Sequence, residues 1–192
     1  IIAAQNTEGG WRYRPIARDA DISVTVLQVV ALRAARNGGL DVPQAVIDHA
    51  VKYVKSCCHE ATGGFGYQPH REPGFARTAA AIYSLQVCGL YDDEMVKKGS
   101  EYLLAHTKEQ DQWFTYGHFY AAPAQYMIGG DTWRTWYHTV KDALLKAAIP
   151  QGELWSWDTK LDQGRAVGPV YCTAVYAMIL AMPYHYVPLY QR

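Results

Sequence analysis

An aromatic turn followed by an uncharged helical segment recurs along this chain, and this repeat limits the fold more than any other feature. In the first copy, Gly9-Gly10-Trp11 and a polar loop precede an apolar segment within residues 5–32. The later copies are GGFGYQP before TAAAIYSL (63–85), QWFTYGHFY before AAPAQYMI (112–128) and QGELWSW before YCTAVYAMIL (151–180). The turn aromatics Trp11, Phe65, Trp113 and Trp155 are 54, 48 and 42 residues apart. Periods of this size are typical of stacked helical hairpins.

The predicted helices alternate between two kinds. Segments that are nearly free of charge begin near Ser23, Thr78, His118 and Pro169. Between them lie amphipathic segments at 43–57, 94–106 and 132–148, each with one apolar and one charged face. A fully buried helix beside a helix with one wet face predicts two concentric layers. Straight solenoids, whose two helices are both amphipathic, fit this alternation less well.

Composition excludes several classes of function. The chain carries 18 basic and 18 acidic residues, so it has no positive field with which to hold nucleic acid. No apolar run reaches the roughly 18 residues that a membrane span needs. The four cysteines form no CxxC pair, and we interpret them as small buried apolar residues. The sequence predicts no cofactor and no metal site.

The turns resemble the QW-type repeats of the terpenoid cyclase and protein prenyltransferase superfamily. The resemblance is carried by Gln5 with Gly9-Gly10-Trp11, by Gly63-Gly64-Phe65, by Gln112-Trp113 and by Gln151-Gly152 with Trp155. It implies an all-α fold, an α/α toroid of stacked helical hairpins with inner and outer helix layers.

The same resemblance implies an incomplete toroid. Family members close a barrel with about six hairpins, and residues 1–192 supply about three and a half, as a single repeat domain. We expect the chain to be the C-terminal part of such a barrel, or an open arc that meets a partner through its ends. The expected repeats are 1–57, 58–107, 108–149 and 150–192.

Two carboxylates stand where the family's cyclases carry a DxDD motif. Asp19 and Asp21 match the first two acids of that motif, and Ile22 replaces the third. Two carboxyl groups that share a cavity raise the pKa of one of them, which suits a general acid. The alternative is structural: Asp21 caps the following helix, and an aspartate pairs with Arg14 or Arg18.

A zinc site is the second catalytic feature that the resemblance raises. Prenyltransferase β-subunits hold zinc through an aspartate, a cysteine and a histidine, and the matching positions here are Tyr116, His118 and Cys172. Because a tyrosine is an improbable third ligand, we predict that no zinc is bound.

Aromatic and basic side chains gather at the turns that precede the uncharged helices. Rings of this kind suit an apolar ligand, a carbocation or a sugar, although many of them would simply wedge hairpins together. The predicted ligand-binding residues are Trp11, Tyr13, Tyr67, His70, Arg77, Trp113, Tyr116, His118, Tyr120 and Tyr171.

Three functions are compatible with these residues. The first is a non-catalytic scaffold or a domain that binds an apolar small molecule or a protein. The second is an isoprenoid cyclase or transferase fragment in which an aspartate is the general acid. The third is a toroid polysaccharide lyase that uses Arg12, Arg71 or Arg77 on uronic acids. Each catalytic motif is incomplete, so the sequence favours the first function.

Overall fold

A computed structural model describes residues 1–109, 113–162 and 167–184. These parts contain seven α-helices and one short β-hairpin. The helices are α1 (Ile22–Asn37), α2 (Gln44–Ser56), α3 (Phe75–Val87), α4 (Glu94–His106), α5 (Phe114–Ile128), α6 (Gly130–Ala147) and α7 (Pro169–Ala181). The antiparallel strands are β1 (Ile149–Gln151) and β2 (Leu154–Ser156). Single 3₁₀ turns occupy Ile2–Ala4, Lys160–Asp162 and Met182–Tyr184.

The helices form two layers, as the alternating pattern predicts. The odd-numbered helices pack side by side in chain order, α1 on α3, α3 on α5 and α5 on α7. The even-numbered helices cover them from outside, with α2 against α1 and α3, α4 against α3 and α5, and α6 against α5 and α4. The all-α fold class is therefore confirmed. Among the described helices, none combines the length and apolar character that a membrane span requires.

Burial differs between the middle and the ends of the inner layer. In α3 and α5, eleven residues each are buried, because these helices have neighbours on both sides and an outer helix behind. In α7, which is also uncharged, only one stripe is buried, and Val170 remains 83% exposed. Leu27 of α1 is 52% exposed. The expectation of inner helices buried on every side therefore holds only for the central pair.

The first two turns are built in the same way, which explains the repeat. Backbone N–H groups of Trp11 and Phe65 donate to the hydroxyl oxygens of Thr25 and Thr78, at 3.1 and 2.9 Å. We call this the turn–threonine hydrogen bond. The carbonyl of each aromatic accepts from the N-cap residue of its inner helix, at 3.0 Å for Trp11 and 3.2 Å for Phe65. Each turn is thus fixed to the helix that it precedes.

Glycine is required where these turns meet the outer layer. Gly9 has φ +101°, and a Cβ there would lie 2.0 Å from the carbonyl oxygen of His49 in α2. Gly63 has φ +73°, and its Cβ would meet the backbone of Lys98 in α4 at 3.1 Å. The Gly-Gly pairs therefore bring turn backbone against helix backbone, an approach that a side chain would prevent.

Several boundaries differ from the sequence prediction. Helices α3 and α5 begin at Phe75 and Phe114, earlier than Thr78 and His118, and Phe75 packs beside Gly117 of α5. Ile2–Ala4 forms one 3₁₀ turn.

The fourth turn also differs. Trp155 lies on β2 and is 59% exposed, whereas the backbone N–H of buried Trp157 donates to Thr173 at 2.9 Å. Trp157, two residues later than predicted, is therefore the fourth turn aromatic. Gln112, which the repeat pattern includes, lies outside the described residues.

Candidate functional site

Asp21 is the N-cap of α1. Its Oδ1 accepts from the backbone N–H of Val24 at 2.9 Å, and the side chain is fully buried. Its Oδ2 lies 3.4 Å from Nε of Arg12 and accepts no hydrogen bond from the described residues. The cap therefore accounts for one carboxylate oxygen, and the other lies beside the guanidinium of Arg12.

Arg12 bridges the two aspartates of the predicted acid motif. Its Nη1 lies 3.3 Å from Oδ2 of Asp19, which is largely exposed. The guanidinium also stacks over the rings of Tyr13 and Tyr67, at 5.7 and 5.6 Å from their centroids. The predicted ion pair of an aspartate with Arg14 or Arg18 is wrong, because the side chain of Arg12 lies beside both carboxylates. Arg12 is thereby engaged, which leaves it poorly placed for the uronic acid of a lyase substrate.

Tyr67 joins this group through its hydroxyl, which lies 3.2 Å from that of Tyr13. Burial raises the pKa of Tyr67, and the hydroxyl of Tyr13 and the carboxylate of Asp21 raise it further. The backbone carbonyl of Tyr67 accepts from the N–H of Ile22 at 3.0 Å, so the second turn is tied to the start of α1.

A surface cavity of about 340 Å³ lies at the N-terminal ends of α5 and α7. Three predicted aromatics, Trp113, Tyr116 and Tyr171, line it together with Val167 and Asp162. Burial raises the pKa of Tyr116 to about 12, and its hydroxyl, though buried, has no hydrogen-bond partner among the described residues. The structure therefore brings these three predicted residues together.

Tyr120 lies one turn further along α5 and leads to a second cavity. Its ring is 5.0 Å from that of Tyr116, in an edge-to-face arrangement. The second cavity, which we call the central cavity, has a volume of about 390 Å³. All four inner helices line it, through Leu27, Val30, Arg33, Ala34, Asn37, Tyr83, Val87, Phe119, Tyr120, Pro123 and Met178.

The sequence prediction missed most of the central cavity. Of the predicted ligand-binding residues, only Tyr120 lines it. In helices as uniformly apolar as α3 and α5, hydrophobic periodicity does not distinguish a residue that faces a cavity from one that faces a neighbouring helix. Arg33 was the available signal, because it and Arg36 are the only charged residues in the sequence of α1.

The structure places two other predicted residues in the core. His118 is 1% exposed, its Nδ1–H donates to the carbonyl of Phe114 at 2.9 Å, and its ring stacks on Phe114 at 4.0 Å. Burial lowers the pKa of His118 to about 4. Trp11 is 2% exposed, and its indole N–H donates to the carbonyl of Ile1 at 2.9 Å.

The last two predicted ligand-binding residues lie away from both cavities. His70 is an exposed loop residue with φ 61°, and Arg77 lies in the first turn of α3 with its guanidinium against Gly74. Neither residue lines the central cavity or the surface cavity at α5 and α7.

A buried polar cluster that sequence reasoning did not find lies at the start of α5. Asp162, 1% exposed, accepts from the backbone N–H of Thr115 at 2.7 Å and also from the Thr115 hydroxyl. That hydroxyl lies 2.6 Å from the hydroxyl of Tyr176, and Sγ of Cys172 is 3.8 Å from Asp162. Asp162 thus places a carboxylate at the N-terminus of α5.

The positions matched to zinc ligands do not share a site. Cys172 belongs to the Asp162 cluster, where burial raises the pKa of its thiol, whereas His118 stacks among aromatic rings. Within the described ranges, no three His, Cys, Asp or Glu side chains are grouped closely enough to hold a metal ion.

Comparison with protein families identifies the fold independently. The model of the Prenyltransferase alpha-alpha toroid domain matches residues 1–117 and, in a second alignment, residues 39–137. The first match alone covers more than half of the chain, and the two overlap as expected for a repeat protein. No curated protein matches the chain.

Proposed function

This chain belongs to the prenyltransferase alpha-alpha toroid domain family, and we propose that it binds an apolar small molecule in the central cavity and catalyses no reaction. The observation that carries the proposal is the cavity itself, which has a volume of about 390 Å³ and is lined by residues of all four inner helices. This volume falls within the usual range of small-molecule sites. Family membership alone does not determine activity, so the argument depends on the cavity.

The cavity wall favours an apolar ligand. Aliphatic side chains line it on the α1 side and aromatic rings on the α3 and α5 sides, and Arg33 is the one charged residue among its described lining residues. Each methylene group that moves from water into such a site contributes about 0.8 kcal/mol to binding.

The test of this proposal is a substitution that fills the cavity. Ala34 is an exposed residue of α1 that lines the cavity, so Ala34→Phe adds a ring to the binding space without disturbing the core. We expect the variant to bind farnesol or dodecan-1-ol at least about tenfold more weakly than the unaltered chain in equilibrium dialysis, since a filled site excludes the ligand. Ala45→Phe, an equally exposed substitution on α2, is the matched control and should bind normally.

A second candidate function is protonation of an isoprenoid by Asp21. One observation favours it: a fully buried carboxylate oxygen of Asp21 accepts no hydrogen bond from the described residues and lies close to tyrosines at the inner-helix N-termini. Asp21→Asn should abolish turnover of squalene while leaving the melting temperature nearly unchanged, because asparagine also caps helices well. Gas chromatography of the products is the measurement. An unaltered chain that releases no cyclised product would exclude this candidate.

A further inference from the structure

Arg33 gives the central cavity one charged end. It lies on α1, and Asn37 follows it one turn later at the end of the same helix. Both side chains are exposed, and among the described lining residues Arg33 is the only charged one. Apart from the hydroxyls of Tyr83 and Tyr120, the side chains of the remaining lining residues are apolar. The cavity is therefore polar at one end and apolar elsewhere.

Arg33 is also unengaged, in contrast to its neighbour Arg36. Arg36 donates to the side chain of Gln44 at 3.1 Å and to the carbonyl of Val42 at 2.9 Å, on the side of α1 that faces α2. Within the described ranges, Arg33 forms no ion pair with an acidic side chain. Its guanidinium can thus meet a ligand without first breaking an internal salt bridge.

The surroundings of Arg33 limit how much negative charge a ligand can carry. The cavity lies beside the C-terminal ends of α1 and α3, at Asn37 and Val87, and helix C-termini carry partial negative charge. No second cation among the described residues lines the cavity. A phosphate or diphosphate is usually held by several cations or by helix N-termini, whereas Arg33 is the only cation among the described residues that line this cavity. The single positive charge of the Arg33 guanidinium balances the single negative charge of one carboxylate.

We propose that the ligand of the central cavity is an amphiphile with a single carboxylate head and an alkyl or isoprenyl tail. This inference rests on the proposed binding function and adds the ligand class to it. Arg33 binds the carboxylate with two parallel N–H···O hydrogen bonds, the Asn37 amide provides a further donor, and the tail lies along Phe119, Tyr120 and Pro123. The cavity thereby selects against a neutral alcohol of the same length and against a dianion.

The experiment compares head groups on one tail. Dodecanoate, dodecan-1-ol and dodecyl phosphate are titrated by equilibrium dialysis into the unaltered chain, into Arg33→Gln and into the matched control Arg36→Gln. We expect dodecanoate to bind about tenfold more tightly than dodecan-1-ol, and Arg33→Gln to remove that difference while leaving dodecan-1-ol affinity within about twofold. Arg36→Gln should leave both affinities unchanged, because its guanidinium faces α2.

The outcomes separate the two proposals. If dodecan-1-ol binds but dodecanoate binds no better, or if Arg36→Gln has the effect expected of Arg33→Gln, the carboxylate inference is overturned and apolar binding stands. Dodecyl phosphate binding tenfold more tightly than dodecanoate would also overturn it. If none of the three binds, the proposed function itself fails.

Discussion

The first inner-helix threonine is hydrogen-bonded in one way at the first two turns and in another way at the start of α5. At Trp11 and Phe65, a backbone N–H of the turn donates to a threonine hydroxyl of the inner helix that follows. At α5 the inner-helix threonine, Thr115, instead donates to Asp162, 47 residues further along the chain. The first two hairpins are fastened locally, whereas the third depends on a residue of the fourth.

The start of α5 is the exception, because Trp157 in the fourth turn donates to Thr173 at 2.9 Å in the same way as Trp11 and Phe65 donate to their threonines. Thr25 and Thr78 are each the fourth residue of their helix, whereas Thr115 is the second residue of α5. At α5 the residue before the helix, Trp113, is already its N-cap, and its side chain makes no capping bond. A carboxylate from the Lys160–Asp162 turn supplies the acceptor instead, so α5 is completed by distant sequence.

The largest expected effect tests whether the glycine turns are as rigid as their geometry indicates. Gly9→Ala would place Cβ 2.0 Å from the carbonyl oxygen of His49 at φ +101°, which should lower the free energy of unfolding by about 4 kcal/mol. Urea denaturation is the measurement. Gly39→Ala is the control: φ is +83° but no atom lies within 4 Å of the new Cβ, so only about 1 kcal/mol should be lost. Equal losses would contradict the role of the backbone contact.

Asp162→Ala tests the non-local fastening of α5. The substitution leaves the backbone N–H and hydroxyl of Thr115 buried without their acceptor, and we expect a loss of about 3 kcal/mol in the free energy of unfolding. Thermal and urea denaturation give the value. Asp131→Ala removes a carboxylate that is exposed and paired only with Arg134, so its loss should stay below about 0.5 kcal/mol. A loss under 1 kcal/mol for Asp162→Ala would show that α5 needs no distant cap.

The pH dependence of stability tests how completely water is excluded from the core around α5. The folded-state pKa of His118 is about 4, below the ordinary 6.5, so the unfolded chain takes up a proton first as the pH falls. The contribution of neutral His118 is complete above pH 6.5 and is lost as the pH falls towards 4, by about 2 kcal/mol between pH 7 and pH 5. Urea denaturation across this range measures the slope.

Two histidine variants separate this effect from the titration of other groups. His118→Leu should be less dependent on pH than the unaltered chain, because the group responsible is absent. His138→Leu, at an exposed position on α6, should keep the original slope. If the two variants have the same slope, His118 is not the group that titrates.

The smallest effect concerns the local fastening of the second turn. Thr78→Val has nearly the same shape but removes the acceptor for the Phe65 N–H, and we expect a loss of about 1.5 kcal/mol. Thr25→Val should match it, since the first turn has the same hydrogen bond. Thr139→Val, at a half-buried position on α6, should change stability by less than about 0.5 kcal/mol. If the loss at Thr78 is no larger than that at Thr139, the shared geometry of the two turns contributes little to stability.

The helices and their layering were predictable because they follow from local chemistry. Segments with almost no charge, such as α3, favour burial, and a charged face such as that of α4 needs water, so their alternation predicts inner and outer layers. The cap by Asp21 was also predictable, because a cap bonds to the helix that follows it in sequence.

The site was only partly predictable, because it depends on contacts between distant residues. Trp113, Tyr116 and Tyr171 were predicted as ligand-binding residues, and the structure groups them around one cavity. The sequence analysis did not identify Asp162, because its partner Thr115 lies 47 residues away and no residue near Asp162 in the sequence indicates this contact. Trp155 and Trp157 are both aromatic, so the choice between them needed the hairpin geometry.

By itself, the sequence determined the helix types, their order, the glycine turns and family membership, because each depends on residues that are near one another in the chain or recur at a fixed spacing. The tertiary structure decided the course of the central cavity, the burial of His118 and the cap of α5. These depend on which uncharged face meets which neighbour, and an apolar helix carries no local mark of the side that faces a cavity.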